Sequence, residues 1–66
     1  MVKNTYVTIT ACPELARLRL APLEGRRGIV VEDLSDHRTA GGMVLLEEAF
    51  MDEFLWFIPD AAVRYD

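Results

Sequence analysis

The chain has one cysteine, one histidine and one tryptophan. Cys12 has no second thiol with which to form an internal bridge, which suits a reducing compartment and removes the disulfide framework of many small extracellular domains. Cys12 and His37 could form just one Cys–His nucleophilic pair, and nothing in the sequence brings the two together. Long apolar runs are also missing. The longest, Phe54 to Pro59, falls far short of a membrane span. Met1-Val2-Lys3-Asn4-Thr5 lacks the basic start and apolar stretch of a secretory leader. The expectation is a cytoplasmic protein that does not enter a membrane.

Positive charge is scarce as well. Seven Lys and Arg stand against eleven Asp and Glu, for a net charge of −4. That balance opposes general nucleic-acid binding, which needs clustered basic residues at the phosphates. No repeat, linker or low-complexity segment is present, and 66 residues leave room for a single domain, residues 1–66. A chain of this size buries only about 60% of its unfolded surface.

What is abundant is apolar side chain, at 52% of residues. With so little interior to fill, part of that content is available to a partner or a second copy. Charge is unevenly spread. Residues 15–30 carry Arg17, Arg19, Arg26 and Arg27 against Glu24. Residues 43–66 carry Glu47, Glu48, Asp52, Glu53, Asp60 and Asp66 against Arg64. The two halves are expected to complement each other across the fold.

Tyr6-Val7-Thr8-Ile9-Thr10 alternates and is β-branched, so it predicts a strand. Ala11-Cys12-Pro13 interrupts it. Leu15 and Leu18 suit a helical turn, whereas Arg17-Leu18-Arg19-Leu20 alternates like a strand, and the strand is preferred for 17–20. Pro22 to Gly28 is turn chemistry. Ile29 to Leu34 predicts the clearest strand, followed by a polar loop from Ser35 to Gly42. Met43 to Phe50 predicts a strand whose alternation breaks at Glu47-Glu48, as a bulge would break it. Met51-Asp52-Glu53 turns the chain, and Phe54 to Ile58 returns as a strand. Pro59 to Ala62 reads as one helical turn opened by proline, before a last strand at Val63-Arg64-Tyr65. Short strands between glycine-bearing turns argue for an all-β domain, and closure into a barrel removes exposed edges.

Leu23-Glu24-Gly25-Arg26-Arg27-Gly28-Ile29-Val30 resembles the KOW motif of NusG-type elongation factors and several ribosomal proteins. Trp56-Phe57-Ile58-Pro59 and the closing Val63 resemble the end of an SH3-like barrel, where a short 3₁₀ turn links the last two strands. The resemblance covers about residues 17–65. It implies a small five-stranded SH3-like barrel with Ile58, Val63, Phe54 and Trp56 in the core. Leu55 and Phe57 then face outward, as do Ile29 and Val31 if Val30 points in. Either the N-terminal segment, through Val7 and Ile9, covers these four residues, or they form a homodimer or partner surface. The chain departs from nucleic-acid-binding KOW domains in having only Arg26 and Arg27 in the matching loop. It departs from peptide-binding SH3 domains in offering only Tyr6, Trp56 and Tyr65 as groove aromatics.

Other clusters predict little chemistry. Ser35-Asp36-His37 sets three catalytic residue types in a row, but adjacent side chains point apart and a working triad is assembled from distant segments. Glu47, Glu48, Asp52 and Glu53 flank one turn without the spacing of a calcium loop. No cofactor is expected. Two functions are expected from different classes. The first is a non-catalytic interaction module or accessory subunit working through an apolar and acidic face that includes Ile29, Val31, Leu55 and Phe57. The second is a nucleic-acid or ribosome-associated domain touching phosphate through Arg26 and Arg27, against the net charge.

Overall fold

The computed structural model describes residues 1–34 and 40–66. Five antiparallel strands form one sheet: β1 (Tyr6–Ile9), β2 (Arg27–Asp33), β3 (Gly41–Phe50), β4 (Glu53–Pro59) and β5 (Val63–Tyr65). Their order is β4-β3-β2-β1-β5, so the last strand returns to pair with the first. Strand accounts for 51% of the described residues. Helix is confined among them to α1 (Pro13–Arg17) and two 3₁₀ turns, Ala21–Leu23 and Asp60–Ala62. The all-β class follows the alternation in the sequence, and the turn between β4 and β5 lies where Pro59 predicts it.

Alternation sets the two faces. Val7, Ile9, Val30, Val44, Leu46 and Ile58 point to one side and are fully or almost fully buried. Leu15 from α1, Leu20 and Leu23 around the first 3₁₀ turn, and Ala62 from the second complete that core. The short segments between strands thus close the inner face that the sheet alone leaves open.

Residues 17–20 differ from expectation. They are not a strand but the end of α1 and the turn that stops it. Cys12 caps the helix, its Sγ accepting the Leu15 amide at 3.4 Å, with proline at the first position, Glu14 in the first turn and Arg17 in the last. At the far end Arg19 takes the left-handed conformation, φ 62°. The Leu20 amide donates to the Leu15 carbonyl at 3.1 Å and the Arg19 amide to that of Ala16 at 3.0 Å. This is a Schellman turn with its apolar clasp, because Leu15 and Leu20 are both buried. Arg-Leu-Arg-Leu looks alternating, but tertiary burial of Leu20 decides its conformation.

β3 and β4 form a hairpin joined by Met51 and Asp52, both at positive φ (52° and 63°). Register shifts between Leu45 and Phe50, where Glu47-Glu48 predicts a bulge. A second irregularity, between Val30 and Glu32 in β2, has no such signal. Ahead of β1 the Asn4 amide donates to the Val30 carbonyl at 2.7 Å, extending the ladder. The Met1 ammonium lies 2.9 Å from Asp33 and 3.6 Å from Asp60, while its side chain packs against the core.

Candidate functional site

The face of the sheet opposite the core is apolar. Strand pairing sets Tyr6 beside Ile29, Ile29 beside Leu45 and Leu45 beside Leu55, an in-register row across four strands. Tyr6, Leu45 and Leu55 are 53%, 42% and 41% exposed, and Ile29 is half-buried between them. Next along the strands lies a second row, Met43 beside Phe57, with Val31 reaching the same side from the β2 irregularity. These three are half-buried. An antiparallel sheet with one face on the core ordinarily carries polar side chains on the other. Here seven apolar residues stand there, with exposed Glu32 beside them in register with Met43.

Each of the four residues expected to face outward belongs to this surface. Leu55 is exposed on β4, while Ile29, Val31 and Phe57 are half-buried among their neighbours. The alternative in which Val7 and Ile9 cover the patch does not hold, since both point into the core at 0% and 1% exposure. Phe54 is also corrected. It shares the inward phase of Trp56 and Ile58, yet it overhangs the core at the β4 end and is 48% exposed. Trp56 is half-buried against the core, edge-on to Phe50 with ring centroids 5.5 Å apart. Its indole N–H donates to the Glu53 carbonyl at 3.0 Å. Sequence reasoning named Tyr6 only as a groove aromatic and did not place Tyr6, Met43 or Leu45 on this surface. Their alternation within each strand was visible, but only cross-strand register joins them into one surface.

Charge rims one end of the patch. Arg27 Nε donates to an Asp66 carboxylate oxygen at 2.8 Å, Glu47 lies 3.6 Å from the same guanidinium, and the cation sits 5.7 Å from the Tyr6 ring centroid. Thr8 Oγ1 donates to the other Asp66 oxygen at 2.8 Å. These hydrogen bonds, from Thr8 first and then Arg27, hold the Asp66 carboxyl below its ordinary pKa, and the same contact with Asp66 raises that of Arg27. The expected complement between basic and acidic halves is thus present at Arg27.

Arg26, beside it, points to the other side, with its guanidinium 6.0 Å from the Phe50 ring centroid and a buried Nη1 that has no hydrogen-bond partner among the described residues. Gly25, Arg26, Arg27, Glu47 and Glu48 line an open hollow of about 220 Å³. The two arginines therefore share their hollow with two carboxylates, an arrangement close to neutral.

The remaining candidates are dispersed. Cys12 is a half-buried helix cap. Ser35, Asp36 and His37 lie outside the described residues. Among the described residues no group of three His, Cys, Asp or Glu is arranged to hold a metal ion, and no helix is long and apolar enough to cross a membrane. No family model, curated protein or solved structure matches this chain.

Proposed function

We propose that the chain is a non-catalytic protein-interaction module, an SH3-like barrel in fold, that docks a protein partner on the outer face of its sheet. The observation that carries this reading is the in-register row Tyr6–Ile29–Leu45–Leu55 on the side away from the core. An apolar centre with Arg27, Glu47 and Asp66 at its rim is the composition of a partner surface. The fold part is supported by the strand order, by the pairing of β5 with β1 and by the 3₁₀ turn before β5. The KOW-like stretch from Leu23 to Val30 supports it too, leading through the Gly25 turn into β2.

The test is a photoreactive phenylalanine placed at Leu55, with a control at Glu24, which is also exposed but away from this face. Irradiation in the native host is expected to give a discrete adduct from position 55 and none from position 24. Absence of an adduct from 55, or equal adducts from both, would overturn the reading. The phosphate-binding alternative through Arg26 and Arg27 draws less support, because Arg27 already has two carboxylates and Glu47 and Glu48 share the hollow. Tight RNA binding at physiological salt, lost on Arg26→Ala/Arg27→Ala, would reverse that order.

A further inference from the structure

The outer face ends at β4, and we infer that the free edge of this strand holds an extended segment of the partner. That segment adds a sixth strand to the sheet, apolar beside Leu55 and Phe57 and basic at the β3–β4 hairpin end. The inference rests on the interaction-module reading and names the chemistry of the partner.

Proline settles which backbone groups of β4 point outward. In an antiparallel ladder, hydrogen-bonded and non-hydrogen-bonded pairs alternate. Pro59 pairs with Gly41 yet has no N–H, so theirs is a non-hydrogen-bonded pair. The Asp60 amide, donating to the Ala40 carbonyl at 3.0 Å, is the adjoining bond of that ladder. Two and four residues back in the same register, Met43–Phe57 and Leu45–Leu55 are therefore non-hydrogen-bonded too. The N–H and C=O groups of Phe57 and Leu55 point away from β3. β4 is the last strand in the sheet order, and these groups have no partner among the described residues.

Both ends of the free stretch are closed. Pro59 offers no donor, and the Glu53 carbonyl already accepts the Trp56 indole N–H. What remains is two N–H and two C=O groups on alternate residues, a spacing that an extended backbone matches in full. Edge strands are ordinarily blunted by brevity, charge or proline. β5, at the other edge, has three residues and carries Arg64, whereas β4 from Phe54 to Ile58 has no charge and no proline.

Side-chain chemistry selects the segment. Residues set opposite Leu55 and Phe57 project onto the apolar outer face. At the hairpin end Glu48, Asp52 and Glu53 are exposed and form no ion pair among the described residues. A basic residue opposite Glu53 meets that charge. The β4 strand of a second copy fits less well. In an antiparallel pair, setting each Leu55 against the other copy's Phe57 uses every free group. That register also brings Asp52 toward the other copy's Asp60 at both ends, and like charges opposed across strands repel.

The probe is the peptide acetyl-Thr-Thr-Val-Thr-Val-Thr-Lys-amide. Run antiparallel to β4, it sets its valines opposite Phe57 and Leu55 and its lysine opposite Glu53. In ¹H–¹⁵N spectra the Leu55 and Phe57 amide protons are expected to exchange rapidly in the free chain. On addition of peptide they should move downfield and become protected, while those of Val63 and Tyr65 on β5 stay in place. Glutamate in place of the lysine should weaken binding about twofold to fivefold. A chain synthesised with N-methyl-Phe57 loses only that outward donor; it should keep its strand spectrum and bind about tenfold more weakly. Unmoved Leu55 and Phe57 amides at about 10 mM peptide would overturn the inference. So would equal binding of the glutamate peptide, or of the folded N-methyl chain. The crosslink at position 55 separates this from the reading beneath it. An adduct there without peptide binding leaves the interaction module standing and overturns the edge, whereas no adduct overturns both.

Discussion

The ring of Phe57 lies over Gly41: a Cβ built at Gly41 would come within 2.6 Å of the Phe57 Cζ and 2.5 Å of the Ile58 carbonyl oxygen. Glycine at the start of β3 leaves a gap on the outer face, and the aromatic ring from β4 fills it. Gly41→Ala is therefore expected to lose about 1–3 kcal/mol of stability, because neither the ring nor the neighbouring carbonyl can move freely. Chemical denaturation measures it. A neutral substitution would mean that the ring is not seated there.

The same contact divides the apolar face into residues that serve the fold and residues left open to solvent. Leu55→Ser is expected to change monomer stability by less than about 1 kcal/mol, since the side chain is already 41% exposed. Trp56→Ala, its neighbour on the inward side, should cost about 2–4 kcal/mol through loss of its packing on Phe50 and the core. Thermal melts of the two variants check this directly, and similar losses would contradict the assignment of faces.

Helix α1 is held at both ends by residues that are second-best for the position. Arg19→Gly should stabilise the chain by about 0.5–1 kcal/mol, because it relieves the left-handed backbone at φ 62°. Cys12→Ala should cost about 0.5–2 kcal/mol by removing the cap, while Cys12→Ser retains an acceptor for the Leu15 amide. Urea midpoints of the three variants give the order, and Arg19→Gly falling below wild type would refute the Schellman geometry.

Asp66 links stability to pH. Its carboxyl is held below the ordinary value by Thr8 and then Arg27, so its contribution is complete above the unfolded-state pKa. That contribution disappears as pH falls through the lower folded-state value. Asp66→Asn should therefore reduce stability at neutral pH and flatten the acid limb of the profile. Both carboxylate partners of Arg27 are accessible to solvent, so the difference should also shrink in high salt. Melts across the acid range at two ionic strengths measure both effects, and an unchanged acid limb would remove Asp66 from the account.

The strands were legible where alternation and β-branching agreed, as in Tyr6–Ile9 and in Ile29 onward, and where glycine or proline marked the ends. The outward phase of Leu55, Phe57, Ile29 and Val31 was likewise readable. The structure of 17–20 was not, because Arg19 occupies a position that glycine would have announced and Leu20 is positioned by burial rather than periodicity. At Met51-Asp52 the turn was legible but its two-residue form at positive φ was not, because such a turn ordinarily advertises itself with Asn or Gly. Phe54 was misplaced because strand phase says which way a side chain points but not where the core ends. The patch itself needed register, which a single strand does not encode.

The pairing of β5 with β1 bears on how the chain folds. β3 and β4 meet across a two-residue turn, so their ladder closes at little entropic cost. Thr8 and Arg64 lie 56 residues apart, and joining them requires nearly the whole chain to be in place already. Contacts of that span generally form after the rate-limiting step when a local nucleus is available. Val63→Ala, at the half-buried head of β5, should therefore speed unfolding several-fold and leave the refolding rate close to wild type. The chain would hold its β3–β4 hairpin from early in folding and seal β5 onto β1 last, so the lifetime of the native state is set at that pairing.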